Sequence, residues 1–309
     1  MHTVLGAGGP VANALTQELI NANQTVRLVS RKPVQTTAAS LTWQKADLLN
    51  YDEVLSAAKG STVIYLVAGL VYDAAIWRQQ WPVIMKNVIN VTKVTGARLI
   101  FFDNVYMYGL VNSAMTENTP YKPSSVKGGI RAGIASMLMD EVKAGNIRAT
   151  IARAPDFYGT DSTNSFIDMM VLSNYAKNKP AQWLGDPDKK HNYIYIPDAG
   201  KAMFLLGQSP DSDNQIWHLP TAPAITGRQF LDIAANTYQI KPKYMRVRKF
   251  MLWFFGLFKK VIMGTVEMYY QFDHDYIFDS SKFEKAFNFK PTSYADGLKH
   301  MSQTFYKPV

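Results

Sequence analysis

Short apolar runs rich in β-branched residues alternate along the chain with longer stretches of helical periodicity. This alternation predicts a parallel sheet covered by helices on both faces. The expected strands are His2 to Leu5, Thr25 to Ser30, Leu41 to Lys45, Val63 to Val67, Arg98 to Asp103 and Thr150 to Ala154. Helical stretches lie between them, among them Pro10 to about Asn21, Tyr51 to Ala58 and Ile76 to Thr95. Right-handed crossovers between such strands make a doubly wound α/β sheet. After Gly159 the texture changes to shorter elements with more Pro, Lys and aromatic residues. Residues 1–158 are therefore expected to form one domain and 159–309 a smaller α/β one, with a stretch around 190–207 returning to the sheet.

The first strand runs straight into Gly6-Ala-Gly-Gly-Pro-Val-Ala12. Gly6, Gly8 and Gly9 remove side chains where backbone must turn sharply and approach a phosphate, and Pro10 suits a first helical turn. The amides after Pro10, Val11 among them, and the positive end of the helix dipole favour an anion. Ala12 permits close packing of helix and strand. The context is that of a Rossmann-type dinucleotide fold. The second strand ends in Ser30, Arg31 and Lys32 rather than in a carboxylate. A cationic fork suits a 2'-phosphate, so NADP is expected ahead of NAD. Ligands of such sheets lie beyond the carboxyl ends of the strands, which adds Asp47 and Leu48, Val67, Ala68 and Gly69, Asn104 to Tyr108, and Ala154 and Phe157 to the candidates.

Composition narrows the classes. The chain has 309 residues, 47% of them hydrophobic, enough for one large or two modest cores. No cysteine is present, which removes disulfides, thiolate nucleophiles and cysteine metal sites and fits a reducing cytoplasm, the expected compartment. The five histidines show no metal-ligand spacing, so no metal is expected. No basic leader with an apolar core precedes the first strand, and no secretory signal is expected. The net charge of +9 is spread without a basic run interleaved with aromatics, so a small acidic ligand is expected and nucleic acid is not. The apolar stretch Phe250 to Phe258, flanked by Arg246, Arg248, Lys249, Lys259 and Lys260, is far too short to span a bilayer. It is expected to pack into the carboxy-terminal domain or to close a pocket rather than to lie on a membrane. A homodimer is an assembly left open.

Several segments, in order, resemble the extended short-chain dehydrogenase/reductases, the NAD-dependent epimerase/dehydratase family. The glycine turn is similar to that family's T-G-x-x-G-x-x-G, Ala46-Asp-Leu48 to its adenine-contacting segment, and Tyr65-Leu-Val-Ala-Gly69 to its H-L-A-A. Phe101-Phe-Asp-Asn-Val-Tyr-Met-Tyr-Gly109 resembles F-x-S-S-x-x-V-Y-G, Arg153-Ala-Pro-Asp-Phe-Tyr-Gly159 resembles R-P-x-N-x-Y-G beside the nicotinamide, and Tyr193 to Asp198 resembles F-V-Y-V-D-D. The resemblance implies a carboxy-terminal substrate domain and a hydroxylated substrate, a nucleotide sugar among them. It also places Lys189, Lys190, His191 and Asn192 near the family's phosphate-binding arginine.

One departure concerns the chemistry itself. The resemblance implies a Ser or Thr that polarises the substrate and a Tyr with a Lys four residues later that carries the proton. The chain has Asn104 at the first position, and Lys127 and Arg131 where the pair belongs. Asn104 can donate to a carbonyl oxygen. Lys127 can act as the acid in a dry, cationic site, Arg131 cannot give up its proton, and Tyr106 is a further candidate. The one literal Tyr-x-x-x-Lys, Tyr175 to Lys179, lies away from the strand ends and is set aside. Two functions stay open: an NAD(P)-dependent oxidoreductase, epimerase or dehydratase acting on a hydroxyl or carbonyl group of a small molecule, and a catalytically inactive NADP(H)-binding sensor or interaction protein.

Overall fold

The computed structural model describes residues 1–160, 165–258 and 260–308. Contacts divide the chain into two units. The first comprises 1–107, 126–154 and 199–219, the second 108–125, 155–198 and 220–309.

The first unit holds strands β1 (His2–Leu5), β2 (Val26–Ser30), β3 (Leu41–Lys45), β4 (Val63–Leu66), β5 (Arg98–Asp103), β6 (Arg148–Arg153) and β7 (Ile216–His218). Helices α1 (Pro10–Asn21), α2 (Tyr51–Ala58), α3 (Ala74–Thr95), α4 (Val126–Lys143) and α5 (Ile196–Gln208) are threaded between them, α5 entering the unit at Ala199. All seven strands are parallel, in the order β7-β6-β5-β4-β1-β2-β3. β1 and β4 are buried at every position, as strands covered on both faces must be. The chain winds outward from β1 to β3 and then crosses back to β4. The topological switch point therefore lies between β1 and β4, where doubly wound sheets take their ligands.

Six strands of the sheet lie where the apolar pattern predicts them, with ends shifted by a residue or two. The seventh, β7, is not predicted: three residues are too short for a period to show. A buried cation holds the segment before it. The Arg98 guanidinium, at the start of β5, binds Asp213 at 2.8 and 2.9 Å and also donates to the carbonyls of Leu206, Gly207 and Ser209 at the end of α5. Leu206 and Gly207 lie in the last turn of the helix and Ser209 just beyond it, so the cation meets the negative end of the dipole.

The second unit is built on aromatic packing. Tyr158, Tyr175, Trp183, Tyr193, Phe230, Tyr238 and Tyr294 share one core with Leu298 and Met301. Among the described residues its strands form short pairs, Phe157–Tyr158 beside Ile194–Tyr195, Ala181–Leu184 beside Tyr244–Val247 and Lys190–His191 beside Ile225–Thr226. Burial pushes the hydroxyls of Tyr158, Tyr193 and Tyr294 far up and that of Tyr175 up to about 12, so these phenols stay protonated at neutral pH.

The aromatic stretch 250–258 corrects an expectation. It does not pack inward: Phe250, Trp253, Phe254, Phe255, Leu257 and Phe258 are exposed, and Leu252 is the one hydrophobic side chain of the run packed against the Leu184, Val247 and Tyr269 cluster. A run apolar on every side leaves no polar face for solvent, so part of it is exposed whichever face turns in. Among the described residues no helix is long and apolar enough to cross a membrane.

Candidate functional site

The glycine turn between β1 and α1 sits at the switch point. Gly6 has φ +95°, and a Cβ there would lie 2.4 Å from the Ala68 Cα, so no other residue fits under the end of β4. Gly8 also has positive φ, with Val34 behind it. Gly9 differs from both. Its φ is −81°, and a Cβ built on it meets nothing within 4 Å. The helix that follows has no side-chain cap, and its first intrahelical bond runs from Asn13 N–H to the Gly9 carbonyl. Pro10 has no N–H, so the amides of Val11 and Ala12 precede that bond. Open space in front of an uncapped helix start fits a pyrophosphate.

The surrounding strand ends complete the cradle. Ser30 Oγ donates to the Lys32 carbonyl at 2.6 Å and accepts from Trp43 Nε1, and this local bonding leaves the Arg31 and Lys32 side chains in solvent. After β3, Asp47 Oδ1 accepts from the Leu49 amide, while Leu48 is buried. Val67 continues the β4 ladder through its amide to the Leu5 carbonyl, Ala68 covers Gly6, and Gly69 is exposed.

At the ends of β5 and β6 the strand register sets Asp103 beside Arg153. The Asp103 carboxylate accepts its hydrogen bonds through one oxygen. Its Oδ1 accepts from the Asn104 amide at 2.8 Å and from Arg131 Nε at 2.7 Å, and Oδ2 faces Arg153 Nε at 3.5 Å. All three charged side chains are buried, the Arg131 guanidinium over the ring of Trp81 at 4.5 Å. The carboxylate placed between the two guanidinium groups makes their burial tolerable.

The same cluster fixes the loop beyond β5. Asn104 Oδ1 accepts from the Tyr106 amide, starting the short 3-10 turn Tyr106–Tyr108. The Tyr106 ring stacks on Trp77, and Tyr72 OH donates to Tyr106 OH at 3.4 Å. Over the Tyr72 ring, 4.2 Å from its centre, lies the ammonium of Lys127, a fully buried side chain one helical turn before Arg131. Asn104, Tyr106, Lys127 and Arg131 are thus joined through Asp103, Tyr72 and the α3 tryptophans. Sequence reasoning did not single out Tyr72, Asp103 or Arg153. A carboxylate closing one buried strand and a guanidinium closing a second was the available signal.

The other candidates lie in different places. Ala154 is buried with its amide on the Asp103 carbonyl, in the first unit. Phe157 belongs to the second unit, where its carbonyl accepts from Ser165 Oγ. There too, His191 bridges Asp156 and the Tyr276 carbonyl, and Asn192 holds the Ala222 carbonyl and the Phe278 amide. Both are thereby tied into the unit's own packing.

Residues 2–219 match the NAD dependent epimerase/dehydratase family. The chain belongs to that family. No curated protein matches it. Among solved structures it is similar to a dTDP-glucose 4,6-dehydratase from Streptomyces venezuelae bound to NAD, at 16% identity and a TM-score of 0.81 over 99% of this chain and 97% of the other. It is also similar to the Thermus thermophilus UDP-glucose 4-epimerase in complex with NAD, at 16% identity, TM-score 0.78 and full coverage of both chains. A UDP-glucose 4-epimerase from Thermotoga maritima with UDP-glucose gives 16% identity and a TM-score of 0.79 over 99% of each. Within this epimerase/dehydratase chain the family match takes in the glycine turn, Asp47, the charge cluster and Tyr106.

Proposed function

We propose that this chain binds NADP(H) on its first unit and changes the oxidation level of a C–O group on a small molecule, a nucleotide sugar being the class its structural neighbours suggest. The observation that carries this is the constellation of Tyr106, Tyr72 and Lys127 above the buried Asp103 cluster. It assembles in space a phenol and a lysine that are absent as a sequential Tyr-x-x-x-Lys pair.

The residues that would hold the dinucleotide are Gly6, Gly8, Gly9, Pro10 and Val11 at the pyrophosphate and Arg31 and Lys32 at the 2'-phosphate. Asp47 and Leu48 would meet the adenine, with Val67, Ala68, Gly69 and Ala154 further along. Bound there, it supplies hydride exchange at carbon. The protein must then handle the proton at oxygen. Tyr106 Oη gives that proton to a carbonyl oxygen or takes it from a hydroxyl, Tyr72 OH donates to Tyr106 Oη, and the Lys127 ammonium over the Tyr72 ring adds positive charge beside them. The Asn104 side-chain amide donates to the same oxygen. Arg131 acts on position: its guanidinium is held by Asp103, which in turn fixes the Asn104 turn and so the Tyr106 backbone.

A screen of carbonyl compounds and nucleotide sugars with NADP(H), followed both by absorbance at the nicotinamide band and by analysis of the products formed, tests the reading. Turnover that falls about 10² to 10⁴-fold in Tyr106→Phe, with nucleotide binding kept, is expected. A parent protein that binds NADP(H) and turns over no member of the panel would overturn the catalytic reading and leave a nucleotide sensor.

A further inference from the structure

The helix Lys249–Gly256 and the turn after it carry an aromatic surface unlike any other part of the molecule. Phe258 is 77% exposed, Phe250 66%, Leu257 57%, Trp253 and Phe254 54% each and Phe255 53%. Among the described residues every other exposed phenylalanine or tryptophan reduces to one, Phe305. Singly exposed apolar residues are ordinary; six within nine positions are not.

Local packing holds this surface to the second unit. Gly256 closes against Met263 of the next helix, Lys260–Val266, where an added Cβ would lie 3.0 Å from the Met263 backbone. Leu252 reaches back to the core cluster of Leu184, Val247 and Tyr269. The two helices form a hairpin with its aromatic face turned out.

Charge identifies what covers it. From 233 to 266 the chain carries seven basic residues, Lys241, Lys243, Arg246, Arg248, Lys249, Lys259 and Lys260, and no acidic one. The first five are exposed, Arg246 with Asp186 at 3.5 Å; Lys259 and the side chain of Lys260 lie outside the described residues. A second copy placed face to face by a two-fold axis would set this cationic rim against itself. A bilayer with anionic headgroups meets both halves of the pattern. Trp and Phe rings enter the boundary between headgroups and acyl chains, and each cation in the surface field multiplies partition by about five at low salt.

We propose that the 249–258 hairpin docks this protein onto the surface of an anionic phospholipid bilayer, inserted to the depth of the interface without spanning it. The site lies wholly in the second unit and is independent of the nucleotide reading. Co-sedimentation of the full chain with vesicles of equal parts phosphatidylcholine and phosphatidylglycerol is the test. Binding at low salt, at least about tenfold weaker to phosphatidylcholine alone and reversed by high salt, is expected. Phe254→Ser combined with Phe258→Ser, and separately Arg248→Glu combined with Lys249→Glu, should each lower partition about tenfold or more at an unchanged melting temperature. No sedimentation with either vesicle overturns the proposal. So does binding that both double variants retain, or a dimer in sedimentation velocity that the phenylalanine variant dissociates, which would mean that a second copy covers the face.

Discussion

Two groups of cations at strand ends of the same sheet differ in how they are held. Arg153, at the end of β6, and Arg131, on α4 against the end of β5, are buried around one carboxylate, whereas Arg31 and Lys32, beyond β2, stand in solvent. The buried pair is part of the fold, because removing its counter-charge strands two guanidinium groups in a low-dielectric interior. The exposed pair costs the empty protein little, since water solvates it as well as any ligand does. Position in the sheet, more than residue type, separates a buried structural charge from a solvated one.

The strongest way to break this contrast is Asp103→Ala. Unfolding by denaturant should show a loss of about 3 to 5 kcal/mol, the cost typical of a buried ion pair left with one sign. A loss below about 1 kcal/mol would mean that water reaches the cluster. Next, Lys127→Met is expected to lower turnover about 10² to 10⁴-fold while the melting shift with NADP(H) is unchanged, which separates the proton path from nucleotide binding. An unchanged rate would move the proton to water or to the substrate itself.

The glycine turn sharpens the comparison at a smaller scale. Gly9→Val should abolish the nucleotide-dependent melting shift, which for a ligand at about 100 times its dissociation constant corresponds to roughly 2.7 kcal/mol, and should leave the unliganded melting temperature in place. Gly6→Val, with positive φ and the Ala68 backbone in its way, is expected to lower that temperature as well. Equal behaviour of the two variants would show that the open space at Gly9 is not used by a ligand. Arg31→Asp is the mildest change. It should weaken NADP about 10 to 100-fold through the loss of one charge-assisted contact, with NAD nearly unaffected and stability unchanged. Equal melting shifts for NADP and NAD in the parent protein would remove the 2'-phosphate assignment.

The spacing of short apolar runs between helical stretches determined the strands β1 to β6, most plainly β1 and β4, where burial on both sheet faces demands a continuous apolar run. The glycines at 6 and 8 were equally legible, since a turn that needs positive φ or an absent Cβ writes itself as glycine. Tertiary structure alone decided the rest. Strand β7 is three residues long and is recognised by its neighbour and by the Arg98 contacts before it, not by its own period. The Asp103 cluster joins residues 28 and 50 positions apart through strand register and helix packing, long-range pairings that leave no local pattern. Tyr72 reaches Lys127 and Tyr106 from the approach to α3, a place where the sequence shows only a loop aromatic. The 250–258 run could be read as apolar, but not as turned outward: composition states how much surface avoids water, and only packing states which part of it finds a partner in the same chain.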